Sequence, residues 1–240
     1  MLNQEYILLA EKVKGVIRMK AWDKVKYFIK KYRHAWVFLY AFIYMPWFIY
    51  LENHVTSHFY VIHSPLDDYI PFVEYFIVPY VLWFFFIALA IGYFFFTDRK
   101  GFYQLTAFLF TGMTIFLIIC TLFPNGLNLR PVVFERDNVF VHMVQRLYTT
   151  DTPTNVLPSI HVFNSIGVTI AVSHSSALKK HKTVQYATYI MAFLIILSTM
   201  FLKQHSVTDV IAAAAMACVI YPLVYVTQEK KAPKLSHQPV

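Results

Sequence analysis

PSIHVFNSIGVTIAVSHSSA, residues 158–177, is the stretch on which the fold turns. It is long and apolar enough to cross a bilayer, which takes ~20 residues at ~1.5 Å rise each. Yet it carries His161, Asn164, Ser165, Thr169 and His174. Polar groups are costly in hydrocarbon, so such a span faces the inside of a helix bundle rather than lipid. Five further apolar runs flank it, at about 35–51, 70–96, 104–123, 184–202 and 207–227. The second is long enough to tilt or to extend past the interface. The expectation is an all-α polytopic membrane protein, a bundle of six transmembrane helices with an N-terminal amphipathic interfacial helix.

Composition agrees. Of the 240 residues, 58% are hydrophobic and only 14% charged, too little polar surface for a soluble domain of this size. Cys120 and Cys218 fall inside apolar runs and read as small hydrophobes, not as a disulfide or a metal site. The formal net charge of +8 comes from basic residues in short segments between the apolar runs. That placement suits orientation in a membrane and argues against nucleic acid as a partner.

The same segments divide the chain. Residues 1–34 form a basic arm in which Val13, Ile17, Val25, Phe28 and Ile29 recur at helical spacing. This pattern predicts a helix on the membrane surface against anionic lipid headgroups. Residues 35–227 are expected to form the six-span membrane domain, the one that holds any catalytic site, and 228–240 a cytoplasmic tail. With the N-terminus inside, 17 of the 21 lysines and arginines lie on the inner side, leaving Arg130, Arg136, Arg146 and Lys203 outside. The positive-inside rule then predicts a multi-pass protein of the cell membrane with both termini cytoplasmic and segment 124–157 outside. No cleavable signal peptide is expected.

That topology brings three short segments to one membrane depth. In the last of them, His205 and Asp209 are four apart and share a face if helical. A carboxylate so placed can take the proton of one ring nitrogen and leave the other free to attack. In the middle segment, Pro158 and Ser159 open a span whose first N–H groups lack intrahelical partners, a setting that favours an anion. His161 lies in that turn, where it can protonate a leaving oxygen. The first segment offers Arg130, whose planar fork of donors suits phosphate oxygens.

Taken together, Phe123-x6-Arg130-Pro131, Pro158-Ser159-Ile160-His161 and Ser198-Thr199-x5-His205-x3-Asp209 resemble the type 2 phosphatidate phosphatase superfamily. That family carries Lys-x6-Arg-Pro, Pro-Ser-Gly-His and Ser-Arg-x5-His-x3-Asp in the same order. The resemblance implies His205 as nucleophile through a phosphohistidine, Asp209 as its orienting partner and His161 as general acid. It further implies that Arg130, Ser159 and the Ile160 backbone N–H hold phosphate, with no metal or other cofactor. Three positions depart from the pattern: Phe123 stands for lysine, Ile160 for glycine and Thr199 for arginine. The His-Ser-Val-Thr-Asp block is also similar to that of the sphingolipid phosphotransferase branch, which often lacks the same cations.

The expected activity is hydrolysis of a membrane lipid phosphate or diphosphate at the extracytoplasmic face; phosphatidate, phosphatidylglycerol phosphate and polyprenyl diphosphate all fit. Transfer to a lipid or polyol hydroxyl is an alternative, as is a lipid-binding protein of the same fold without catalysis. Lys203, four residues after Thr199, shares its face if the fifth span stays helical, and would then replace the missing arginine. His54-x3-His58 has metal-ligand spacing but no completing ligand, so no metal site is expected there. Glu74, early in the second span, needs a partner if charged. The runs Trp83–Phe86 and Tyr93–Phe96 read as lipid-facing or interfacial.

Overall fold

The apolar runs become helices in the computed structural model, which describes residues 21–226. Eight α-helices are present among the described residues: α1 (Ala21–Lys31), α2 (Ala41–His54), α3 (Ile77–Thr97), α4 (Arg99–Leu122), α5 (Val139–Thr150), α6 (Ile160–His174), α7 (Lys182–Phe201) and α8 (Val207–Tyr221). The chain is an all-α polytopic membrane protein. Five helical stretches are long and apolar enough to cross a membrane: Arg33–His54, Glu74–Thr97, Arg99–Leu122, Lys182–Phe201 and Val207–Val226. The sixth, α6, has 15 residues. The chain divides into two compact units, Met1–Ala41 and Phe42–Val240. In the first, α1 exposes Val25, Phe28 and Ile29 of the amphipathic pattern. Val13, Ile17 and the tail 228–240 lie outside the described residues.

In the second unit α6 is the central element, packed against α3, α4, α7 and α8. Its contact with α4 depends on glycine. A Cβ on Gly112 would stand 2.0 Å from the Phe163 ring, and one on Gly167 would meet Leu109 and Phe108 at 2.8 Å. With both absent, Phe163 stacks flat on Phe108 at 4.7 Å. Small residues let membrane helices approach this closely.

At ~1.5 Å per residue α6 is only ~22 Å long, short of the ~30 Å hydrocarbon thickness. Residues 154–159 lead into it as non-helical backbone, whose polar groups need partners from protein wherever water is excluded. Here Asn125, itself fully buried, supplies the partners. Its carbonyl accepts from Asn155 N (2.7 Å) and its Oδ1 from the N–H groups of Val156 and Leu157 (2.9 Å each). Asn125 belongs to β2 (Asn125–Gly126), which pairs in parallel with β1 (Tyr60–Val61).

Segment 124–157 contains α5, an element the hydropathy pattern does not announce. Asn138 caps it, its Oδ1 accepting from Phe140 N and Val141 N at 3.0 Å. Val144 of α5 packs with Ile77, Tyr80 and Leu202. Glu74 finds its partners here: Asn138 Nδ2 donates to it at 3.0 Å, and Arg136 Nη2 lies 3.1 Å away. The carboxylate thus joins the start of α5 to the start of α3.

Candidate active site

His205 sits in the tight turn between α7 and α8. α7 stops at Phe201, Lys203 takes a left-handed φ of 54°, and the N–H groups of Gln204 and His205 both return to Thr199 O. Ser206 then caps α8. Its hydroxyl accepts from Thr208 N at 3.1 Å, and Asp209 Oδ2 accepts from Ser206 N at 2.9 Å. The same Oδ2 lies 3.4 Å from His205 Nδ1. The pair meets across the helix start rather than along one face: His205 precedes α8 and Asp209 closes its first turn. A contact of this length before substrate arrives is ordinary, since catalytic hydrogen bonds often tighten only in the complex. Nδ1 faces the carboxylate and Nε2 is left for chemistry.

Tying the turn down is Asp67, which the sequence reading passed over. It is 2% exposed. Its Oδ2 accepts from Ser206 Oγ at 2.6 Å and its Oδ1 from Val207 N at 2.8 Å. Lys203 Nζ donates to the carbonyls of Asp67 (2.8 Å) and Ile70 (2.5 Å). Lys203 therefore holds the 67–70 segment and does not line the cavity described below; the assumption that the fifth span stays helical through it fails at Phe201. Burial pulls its ammonium below the ordinary lysine value, against the opposing carboxylates of Asp67 and Asp68.

His161 enters from α6. Its ring lies 4.3 Å from Trp83 and 4.6 Å from Tyr80 of α3, and 5.7 Å from the His205 ring, centroid to centroid. Ser159 caps α6 through Val162 N, and its own N–H reaches Asp209 O at 3.3 Å, which locks the two helix starts together. Ile160 and His161 donate no backbone hydrogen bond within the described residues.

Arg130 is close by but occupied. Its Nη1 donates to the carbonyls of Tyr148 and Asp151, its Nη2 to Thr152 O and Gln204 Oε1, and its plane lies 4.5 Å from the Tyr148 ring centre. All four terminal N–H groups are thus used to join the 148–152 segment to the His205 turn. Burial lowers its proton affinity somewhat, opposed by Asp151; a guanidinium stays charged regardless. At the other departures, Thr199 is buried with its hydroxyl turned to Ile196 O, and Phe123 stacks on Tyr60 at 4.5 Å.

The two histidines open on one cavity of about 480 Å³. Of the residues expected at the site, His161, His205 and Ile160 line it, while Asp209, Ser159, Arg130 and Lys203 stand behind or beside. One part of the wall is apolar, with Met45, Phe48, Met113 and Phe116. The rest carries Glu52, Asp151, Asn155, Asn164 and Gln204. Burial pushes the Asp151 carboxyl above the usual carboxylate range, opposed by the hydrogen bond from Tyr80 and by the charges of Arg130 and His205. Trp83 turns inward, unlike its exposed neighbours Phe84 and Phe85, so the lipid-facing reading of that run fails at this residue. The signal for it was periodicity, as Tyr80 and Trp83 are three apart on one face. Among the described residues no group of three or more His, Cys, Asp or Glu is placed to hold a metal ion.

The arrangement of two histidines and a carboxylate within this helical frame coincides with a family match: the model of the PAP2 superfamily covers residues 105–233. The chain belongs to the PAP2 superfamily. Searches of curated proteins and of solved structures returned no match. The superfamily includes lipid phosphatases, and the fold here is of that phosphatase type. The matched region contains Arg130, Ser159, His161, His205 and Asp209. Glu52, Asp67, Tyr80 and Trp83 lie outside it, on the part of the chain that precedes position 105.

Proposed function

We propose that this PAP2 protein is a membrane lipid phosphatase that works through a phosphohistidine. His205 Nε2 attacks phosphorus of a lipid phosphate or diphosphate, the P–O bond to the leaving group breaks, and His161 gives that oxygen its proton. Water, deprotonated by His161, then takes the phosphoryl group from His205 and releases phosphate. Asp209 holds the Nδ1 proton and offsets the charge the ring gains. The unengaged N–H groups of Ile160 and His161 face charge that grows on the phosphoryl oxygens.

The observation that carries this reading is the pair of histidine rings, brought from α6 and the α7–α8 turn to 5.7 Å over one cavity, with a buried carboxylate behind one ring. A binding protein has no use for that pairing. Transfer to a lipid or polyol hydroxyl instead of water is the second reading, favoured by Phe123 and Thr199 where a phosphatase of this family has cations. We place both termini in the cytoplasm and the cavity on the extracytoplasmic side, because the basic residues then lie overwhelmingly inside.

The chemistry is tested by trapping. Protein quenched with phosphorus-labelled lipid should carry label that is stable to alkali and lost in acid, and His205→Ala should carry none. Label that survives in His205→Ala overturns the assignment. Free phosphate appearing without any added acceptor separates hydrolysis from transfer. Topology is tested in a Cys218→Ser background by an impermeant thiol reagent on whole cells: Val132→Cys should label and Ala232→Cys should not.

A further inference from the structure

The cavity is poor in available positive charge for a phosphatase. Arg130 has its terminal N–H groups engaged, Lys203 is turned to backbone carbonyls, and Phe123 and Thr199 face elsewhere. The wall carries two carboxylates in their place. Glu52 accepts from the Thr152 hydroxyl at 2.6 Å and from Asn155 Nδ2 at 2.8 Å, both neutral donors. Asp151 accepts from the Tyr80 hydroxyl at 3.0 Å. Among the described residues neither carboxylate has an ion pair. Carboxylates facing the place where a dianionic phosphate must sit are electrostatically wrong unless the ligand brings its own cation.

A second, independent feature points the same way. Asn155 and Asn164 are 6% and 3% exposed, line this cavity, and each leaves its Oδ1 without a partner. Buried polar atoms are seldom left unsatisfied, and an orphaned acceptor at a cavity wall waits for a donor from the ligand. On the same wall Trp83 Nε1 and Gln204 Nε2 are buried donors without a partner, so orphaned donors suited to phosphate oxygens stand beside carboxylates and orphaned amide oxygens suited to a cation. A ligand with both a phosphate and a primary ammonium matches the two sets, the ammonium bringing three N–H donors and one positive charge to the acceptors.

We propose that Glu52 and Asp151 form a subsite for a protonated amine carried by the lipid substrate, so that the ligand is an amine-bearing phospholipid and not a simple lipid phosphomonoester. The subsite deepens the reading of His205 as phosphoryl acceptor and rests on it. The amine comes either from an aminoalcohol headgroup on a phosphodiester or from a long-chain amino alcohol that itself bears the phosphate. In either case the attack is unchanged: the bond from His205 Nε2 to phosphorus forms, one P–O bond breaks, and His161 protonates the departing oxygen. The retained phosphoryl or phosphoryl-aminoalcohol group passes to water. Glu52 lies before the region that the PAP2 family model matches and Asp151 within it, so the subsite joins an N-terminal helix to the matched part of the chain.

The test compares kcat/KM on the full-length detergent-purified protein for phosphatidate, an ethanolamine phosphodiester, its trimethylated analogue, an inositol phosphodiester and a long-chain amino-alcohol phosphate of matched acyl length. At least one primary-amine lipid should exceed phosphatidate about ten-fold, and which one identifies the source of the amine. The trimethylated lipid, charged but lacking N–H, should fall between. Glu52→Gln and Asp151→Asn should each shrink the amine-to-phosphatidate ratio about ten-fold. A ratio taken within one preparation does not depend on the fraction folded. Phosphatidate or the inositol lipid as the best substrate, or a ratio unmoved in both variants, overturns the subsite. His205→Ala separates this from failure of the underlying reading: a dead His205 variant with an unmoved ratio sinks only the amine subsite, whereas turnover without His205 sinks the phosphohistidine.

Discussion

Two helices begin at the same end of the bundle, each capped by a serine, and they are finished in opposite ways. The start of α8 is closed by acid: Asp67 takes the N–H of Val207 and the hydroxyl of Ser206, and Asp209 takes the N–H of Ser206. The start of α6 has only Ser159 Oγ on Val162 N, at 3.4 Å, while the N–H groups of Ile160 and His161, two residues that line the cavity, donate to no backbone partner among the described residues. A helix N-terminus attracts anions through its unpaired donors and its dipole. At α8 that attraction is satisfied internally and the terminus becomes a rigid mount for His205. At α6 it is left for the substrate. Similar serine caps therefore do different jobs, and the difference lies in which carboxylates reach them.

The most severe break in this division is at the mount's cargo. His205→Ala should lower phosphate release by ~10⁴-fold or more, the scale on which loss of a covalent nucleophile acts. Phosphate release with the best lipid, alongside a thermal melt to verify folding, measures it. Turnover within ten-fold of the parent would end the assignment of His205 as nucleophile.

Next is the open terminus. Ile160→Pro removes one N–H while keeping the helix, because proline is well tolerated at the first helical position. Ser159, at φ −64° and ψ 114°, already has the extended backbone a residue before proline requires. Ile160 also packs against the cluster of Leu51, Phe116 and Cys120, so Ile160→Ala is the reference. A preorganised donor to developing charge contributes about 10²-fold or more. Ile160→Pro should fall below Ile160→Ala by about that factor in kcat; equal rates in the two variants would mean the α6 N–H does not touch phosphate.

The closed terminus should respond differently. Asp67→Asn keeps the shape but removes the charge on three hydrogen bonds, from Ser64 N, Ser206 Oγ and Val207 N, each of a kind that contributes ~1.5–3 kcal/mol when charged. Thermal stability should drop clearly and turnover about ten-fold, through a looser His205 turn. A variant that loses turnover as completely as His205→Ala at unchanged stability would place Asp67 in the chemistry and erase the contrast between the two ends.

The legibility of these parts in the sequence followed their spacing. Six apolar runs marked the helices, because burial in lipid leaves a continuous signal, but the runs at 35–51 and 70–96 began well ahead of α2 at Ala41 and α3 at Ile77, where the chain is first 3-10 or irregular. His205 and Asp209, and Ser159 with His161, were readable because each pair sits within one turn of chain. Asp67, Glu52 and Asp151 were not. Asp67 and Glu52 meet their partners Ser206 and Asn155 across more than 100 residues of sequence, and Asp151, though ten residues before His161, stands in no repeating pattern with it; a lone acid has no local mark of its destination. Trp83 was hidden for another reason: an aromatic run in a span looks the same whether a ring faces lipid or a histidine. Segment 124–157 concealed α5 because its buried stripe is short, with only Val141 and Val144 fully covered.

Lys203 is where local spacing misled, and it yields the smallest expected effect. The four-residue interval from Thr199 implies a shared face only while the helix continues, and the left-handed turn at Lys203 turns the side chain to Asp67 O and Ile70 O. Two consequences oppose each other there. Removing the ammonium loses the tie to the 67–70 segment, on the order of 1–2 kcal/mol for charged hydrogen bonds in a half-buried setting. Replacing the residue with glycine also relieves a left-handed backbone that costs other residues ~1 kcal/mol. Lys203→Gly should therefore melt higher than Lys203→Met, although both lack the ammonium. Turnover should fall only several-fold in each, with Lys100→Met as a control for lost charge. A drop beyond ~30-fold in Lys203→Met, with stability near that of Lys203→Gly, would mean the ammonium leaves its carbonyls to meet phosphate. The closed end of the bundle would then lend the open end a cation during turnover.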